Sequence, residues 1–184
     1  MEVWWIGANG SVQDAFWYEG QQWNRFELAP AGSASQTGRV TALSRIPGSM
    51  EVWWIGANGS VQSAFWYEGQ QWSRYELAPA GSASTTGGIT AVSRIPNSME
   101  VWWIGANGSV QSAFWYEGHP WRRQETAPAG SASTTGGITA VSRIPNSMEV
   151  WWIGANGSIQ DAFWYEGHPW RRQEIAPAGS ASTS

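Results

Sequence analysis

Four kinds of side chain return at one spacing along the chain and could hold a ligand together. Trp17, Trp66, Trp115 and Trp164 form one set, and Trp23, Trp72, Trp121 and Trp170 a second. Glu19, Glu68, Glu117 and Glu166 fall between the two, while Arg25, Arg74, Arg123 and Arg172 follow the second Trp. Indole faces beside a carboxylate and a guanidinium suit a ligand that is polar at its rim and apolar on its flat faces. A pyranose is such a ligand: its C–H patches lie on an indole, and its hydroxyls take carboxylate, amide or guanidinium partners. The competing role for each Trp is packing between sheets. For each Glu and Arg it is a solvated or mutually paired surface position.

Catalysis is not expected. Glycoside hydrolysis needs two carboxylates whose surroundings set their pKa values apart, whereas these glutamates recur with the same neighbours in each repeat. Asp14 and Asp161 stand where the middle repeats carry Ser63 and Ser112, a small asymmetry that fits drift. The histidines, His119 and His168, each precede a proline and belong to different repeats, so they make neither a triad nor a metal site. No cofactor is called for. Asn9-Gly10-Ser11 and its copies match the N-glycosylation pattern, but a hairpin already accounts for Asn-Gly. Gly-Ala-Asn-Gly is no phosphate loop, because no helix follows it.

Composition narrows the partners. The net charge is −4, every cation is Arg, and charged residues make up 13% of the chain. Without a basic stripe, nucleic acid is not an expected partner. There is no cysteine, and no apolar run long enough to span a membrane or act as an export leader. A soluble chain without membrane insertion is expected, with its compartment left open.

The elements that must position these residues follow from one motif. Met-Glu-Val-Trp-Trp-Ile-Gly-Ala-Asn-Gly-Ser starts at Met1, Met50, Met99 and Met148, a 49-residue interval, and the chain's 16 Trp divide evenly among the repeats. A period of this size marks a repeat architecture whose modules must lean on one another. In the third repeat, Ile138–Arg143 is a short β-leaning run and Ile144-Pro145-Asn146-Ser147 a turn. Met148–Ile153 is a β-branched and aromatic strand, Asn156-Gly157 a hairpin signal, and Ile159–Tyr165 the returning strand. After Glu166-Gly167-His168-Pro169, Trp170–Ile175 reads as a fourth, more polar strand.

The spacing predicts an all-β fold: a β-propeller of four-stranded blades, with repeats at 1–49, 50–98, 99–147 and 148–184 forming one propeller segment. A β-solenoid or a disordered Trp-rich repeat are the alternatives. The first unit has no inner strand before Met1. Two chains would carry about 30 strands against about 28 for seven blades and 32 for eight. Self-association into a seven- or eight-bladed ring, most simply as a homodimer, is therefore expected. A two-residue Asn-Gly hairpin would place Trp4 opposite Ala15, Val3 opposite Phe16 and Glu2 opposite Trp17. Glu2, Trp4, Ile6, Gln13, Ala15 and Trp17 would then share one face, with Met1, Val3, Trp5, Val12, Phe16 and Tyr18 on the other. A three-residue loop would slip that register.

Val141-Ser142-Arg143-Ile144-Pro145-Asn146-Ser147-Met148-Glu149-Val150-Trp151-Trp152, then Gly154–Ser158, Phe163–Gly167 and Trp170, resembles the repeat of the PLL-type bacterial lectins. The resemblance runs the full length, one repeat after another. It implies a propeller, seven-bladed in that family, that binds fucose and related sugars between adjacent blades. Two positions depart from it: Arg45-Ile46, Arg94-Ile95 and Arg143-Ile144 replace a usual Trp-Gly, and Tyr replaces the second Trp of the aromatic pair. The chain is about half the family's length. The resulting expectation is a non-catalytic, multivalent lectin acting on glycans through the Trp, Glu and Arg sets above. The alternative is a scaffold or protein-interaction propeller, natural or engineered from a consensus unit.

Overall fold

In the computed structural model residues 1–183 are described; Ser184, the last residue of the fourth repeat, lies outside them. The described chain folds into β-strands and turns. The first sheet has three strands, β1 (Glu2–Ile6), β2 (Val12–Phe16) and β3 (Asn24–Ala29). The second has four: β4 (Val40–Leu43), β5 (Ser49–Ile55), β6 (Val61–Tyr67) and β7 (Ser73–Ala78). The third holds β8 (Ile89–Val92), β9 (Ser98–Ile104), β10 (Val110–Tyr116) and β11 (Arg122–Ala127). The fourth holds β12 (Ile138–Val141), β13 (Ser147–Ile153), β14 (Ile159–Tyr165) and β15 (Arg171–Ala176). All strand pairs are antiparallel and sequential, and the short inner strands β4, β8 and β12 pack side by side. This is a blade-by-blade segment of a β-propeller.

The hairpin register differs by one residue from the predicted one. Glu2 pairs with Phe16, Val3 with Ala15 and Trp4 with Asp14. The cause lies in the turn. Gly7 N–H donates to the Ser11 carbonyl at 2.8 Å and Gly10 N–H to the Gly7 carbonyl at 2.8 Å, which closes a three-residue loop. Gly10 occupies the left-handed region (φ 76°), the bulge type that follows a turn of this length. Asn9 stays outside it as a side-chain acceptor, taking Ser11 N–H at 3.1 Å and Ser11 Oγ–H at 2.7 Å.

The corrected register re-sorts the faces. On each sheet a front face carries the Glu, the first Trp and the Ile of the motif with Phe and Tyr of the returning strand: Glu100, Trp102, Ile104, Phe114 and Tyr116 in the third. The back face carries Met99, Val101, Trp103, Gln111, Ala113 and Trp115. Front packs on back. Trp102, Ile104 and Val110 of the third sheet form one cluster with Met148, Val150, Trp152 and Ala162 of the fourth. The equivalent residues fill the seam between second and third sheets, and Val12, Leu28 and Ala29 meet Val52, Trp54 and Ala64 at the first. Each fully buried aliphatic or aromatic side chain contributes about 1.5–3 kcal/mol, so most of the stabilisation sits at the seams.

Connections staple the blades further. After β3, β7 and β11 the chain crosses to the next hairpin, forming bridges Ala34 to Gly56, Ala83 to Gly105 and Ala132 to Gly154.

Candidate functional site

The seam between third and fourth sheets contains a pocket of about 250 Å³. The third sheet contributes Glu100, Trp102, Phe114, Tyr116 and Gln124; the fourth contributes Met148, Trp164 and Trp170. Both predicted Trp sets therefore meet here, each facing the sheet that precedes it in the chain. Trp170 meets Trp102 edge-on at 6.3 Å, as Trp121 meets Trp53 at 6.3 Å and Trp72 meets Trp4 at 5.3 Å.

The polar wall of the seam is built around an arginine outside the predicted set. Arg94 Nε donates to Glu100 Oε1 at 2.9 Å, and its guanidinium lies 4.9 Å from the ring centroids of both Tyr116 and Trp164. Arg45 repeats this in the preceding seam, with Glu51 at 2.9 Å, Tyr67 Oη at 2.7 Å and the Trp115 ring at 4.9 Å. The guanidinium thus bridges a carboxylate on its own sheet and an indole on the next.

A turn residue locks it from the far side. Pro96-Asn97 and Pro145-Asn146 occupy the corners of turns closed by Ser98 N–H to the Ile95 carbonyl and Ser147 N–H to the Ile144 carbonyl, each 3.1 Å. The asparagines carry positive φ (63° and 61°), as the third position of a type II turn demands. Arg45 Nη1 donates to Asn97 Oδ1 and Arg94 Nη1 to Asn146 Oδ1. The amide NH₂ of Asn97 then donates to Glu117 at 2.8 Å, and that of Asn146 to Glu166 at 2.7 Å. Glu117 and Glu166, predicted as ligand contacts, orient the asparagine that holds the arginine. Glu68 stands beside Gly48, which fills the Asn position in the second sheet; Glu19 is exposed.

The predicted arginines lie elsewhere. Arg74, Arg123 and Arg172 line open clefts of about 470–520 Å³ on the outer side, with Glu76, Glu125 and Glu174. There a bulge in the outer strand pair sets Gln62 opposite Glu76, and the Gln amide donates to that carboxylate at 3.1 Å. Arg25 is exposed on the first sheet. Trp17 and Trp23 belong to the open back face of that sheet, Trp23 with 47% exposure.

Burial governs the electrostatics. It outweighs Arg94 and pushes Glu100 up to about 7; Glu51 rises for the same reason. Asp14, fully buried with neither carboxylate oxygen hydrogen-bonded, is pushed up to about 7 by burial and by the neighbouring Glu2 charge. Asp161 is also raised by burial, although Gln173 donates to it at 2.9 Å. Of the wall residues outside the predicted set, which also include Tyr67, Tyr116, Asn97 and Asn146, the pairs Arg45 with Glu51 and Arg94 with Glu100 carry one visible signal. An acidic residue recurs inside an otherwise apolar strand, six positions after an invariant Arg.

No protein-family model matches the chain, and no curated protein matches it. Solved structures do. The chain superposes on the BP39L lectin from Burkholderia pseudomallei with a TM-score of 0.87 at 20% identity, covering 96% of this chain and 52% of that one. For AofleA from Arthrobotrys oligospora the TM-score is 0.76 at 20% identity, covering 95% and 53%. For the Aleuria aurantia lectin, described as a six-bladed β-propeller, it is 0.71 at 17% identity, covering 98% and 58%. The chain spans about half the length of these structures, and the likeness establishes that it folds as roughly half of a β-propeller.

Proposed function

We propose that the chain is a multivalent, non-catalytic carbohydrate-binding protein of the PLL-type lectin kind, taking fucose or a related monosaccharide at its blade seams. The observation that carries this reading is the seam pocket between the third and fourth sheets, floored by Trp164 and Trp170 and walled by Glu100, Tyr116 and Gln124; the same residue types recur at the preceding seam. Its volume lies just under the roughly 300–1,000 Å³ of drug-sized sites, on the scale of one sugar ring. Arg94 does not bind the sugar directly in this reading. It fixes the tilt of Trp164 and the position of the Glu100 carboxylate. Support also comes from two neighbours: SapL1 was solved with alpha methyl fucoside, and the Aleuria aurantia lectin is described by its fucose recognition. Weak sites repeated around an arc gain avidity on a surface dense in sugar termini. The seam offers a single inward carboxylate held by an arginine, which suits recognition better than two-carboxylate hydrolysis.

Isothermal titration with methyl α-L-fucoside, galactose, mannose and their N-acetylated relatives tests the proposal. Saturable binding to at least one of them is expected, weakened tenfold or more by Trp164→Ala together with Trp115→Ala. Arg123→Ala, in the outer cleft, is expected to leave affinity unchanged. Silence across the panel favours the scaffold reading, and loss of binding in Arg123→Ala alone moves the site to the outer cleft.

A further inference from the structure

The two ends of the arc expose the two unlike halves of a seam. On the back face of the first sheet, Val3 is 49% exposed, whereas its counterparts Val52, Val101 and Val150 are fully buried. Met1 is 75% exposed, against 6% and 5% for Met99 and Met148. At the other end, the front face of the fourth sheet leaves Trp151 and Ile153 partly open, whereas Trp53, Trp102, Ile55 and Ile104 are buried. A shallow, almost wholly apolar depression of about 270 Å³ lies there, lined by Ile138, Trp151, Ile153 and Ile159.

The site residues are divided in the same way. Arg143 keeps its carboxylate and tyrosine, with Glu149 at 3.4 Å and Tyr165 Oη at 3.1 Å, but its side chain is 63% exposed and no indole covers it. Its counterparts Arg45 and Arg94 are 6% and 10% exposed, each under a Trp of the following sheet. Conversely, among the described residues no arginine-bearing sheet faces Trp17 and Trp23.

We infer that a second copy of this chain closes the ring head to tail, and that the closure assembles a further site from Arg143, Glu149 and Tyr165 of one copy and the partner's Trp17 and Trp23. The warrant is internal. The same two surfaces, in nearly the same sequence, already bury one another at each seam within the chain. Contacts between unlike faces close into a ring when the rotation permits. Two copies supply about the chain length of the propeller structures that one copy half-covers. The sugar-binding part of the inference rests on the seam reading above; the interface does not.

Sedimentation of the full chain reads the interface directly. A mass of twice 20.2 kDa is expected, falling to one chain in Val3→Arg, whose side chain is exposed in the free arc and carries no load within it. Tryptophan emission should shift red on dilution or in Val3→Arg, and Trp23→Phe should remove part of that shift. Titration with methyl α-L-fucoside then counts sites: the double variant Trp17→Ala, Trp23→Ala should lose one site per chain and keep those at the internal seams. A monomer across micromolar concentrations, an open-ended assembly, or a dimer indifferent to Val3→Arg overturns the interface. An unchanged site count in the double variant overturns the shared site. A dimer with the expected emission shift that binds no sugar leaves the interface standing and removes the seam proposal instead.

Discussion

Asp14 should make the chain lose stability as pH rises, and replacing it with the residue its own sister repeats use should cure this. Asp14 is fully buried on the front face of the first sheet, and neither of its oxygens has a partner. Ser63 and Ser112 fill the equivalent place in the middle sheets. Burial raises its pKa from 3.8 to about 7. A group raised on folding stabilises fully below its unfolded value and loses that contribution as pH climbs through the folded one. The span from 3.8 to about 7 converts to roughly 4 kcal/mol at 1.36 kcal/mol per pH unit. Roughly 3 kcal/mol of that should be lost between pH 5 and pH 8. Urea melts of the parent, Asp14→Ser and Asp14→Asn at both pH values, at one protein concentration, measure it. Both variants should gain most at pH 8, and their advantage should shrink by about 3 kcal/mol at pH 5. An advantage equal at the two pH values would refute the idea that a buried, unpartnered carboxyl resides here.

Glu100 and Glu51 share this sign, so the parent should be less stable at pH 8 than at pH 5 even with Asp14 replaced. Arg94→Ala strands Glu100 at 2% exposure and should cost about 3–5 kcal/mol. Arg143→Ala, at the open end of the arc, should barely move the urea midpoint of the monomeric form. Equal losses in the two would show that burial is not what makes the pair matter. Gly59→Ala forces a side chain at φ 74° against the Ala83 carbonyl, 2.8 Å from the new Cβ. Thermal melts should register a loss of about 1–3 kcal/mol.

Much of the fold was legible because turns and strands announce themselves separately. Asn-Gly and Glu-Gly punctuate each repeat, Pro-Gly or Pro-Asn opens the second, third and fourth hairpins, and β14 spans the residues expected from its alternation. The register was not, because Asn-Gly serves two hairpin types, and only the Gly7 to Ser11 bond decides between them. That one-residue slip moved Glu2 away from Trp17 and redrew the site. Trp164 and Trp170 were legible because an indole repeated beside each turn is too large for one thin sheet to cover by itself. Arg94 was missed because an arginine six residues before a glutamate looks like a surface pair until the next sheet covers it. The hydrogen bond from Asn97 to Glu117 was hidden for the converse reason: Asn97 sits in a turn expected to do no more than reverse the chain.

Every seam joins a front from one module to a back from the next, so no module holds a whole pocket. Tandem duplication of such a unit delivers a new pocket at birth, ready-made at the join, before any substitution has occurred. Deleting a unit removes one pocket and heals the gap with an equivalent join. The number of such joins in a chain of this kind can thus change in integer steps by copying alone, and the near-identity of the 49-residue copies is the condition that keeps each new join fitting.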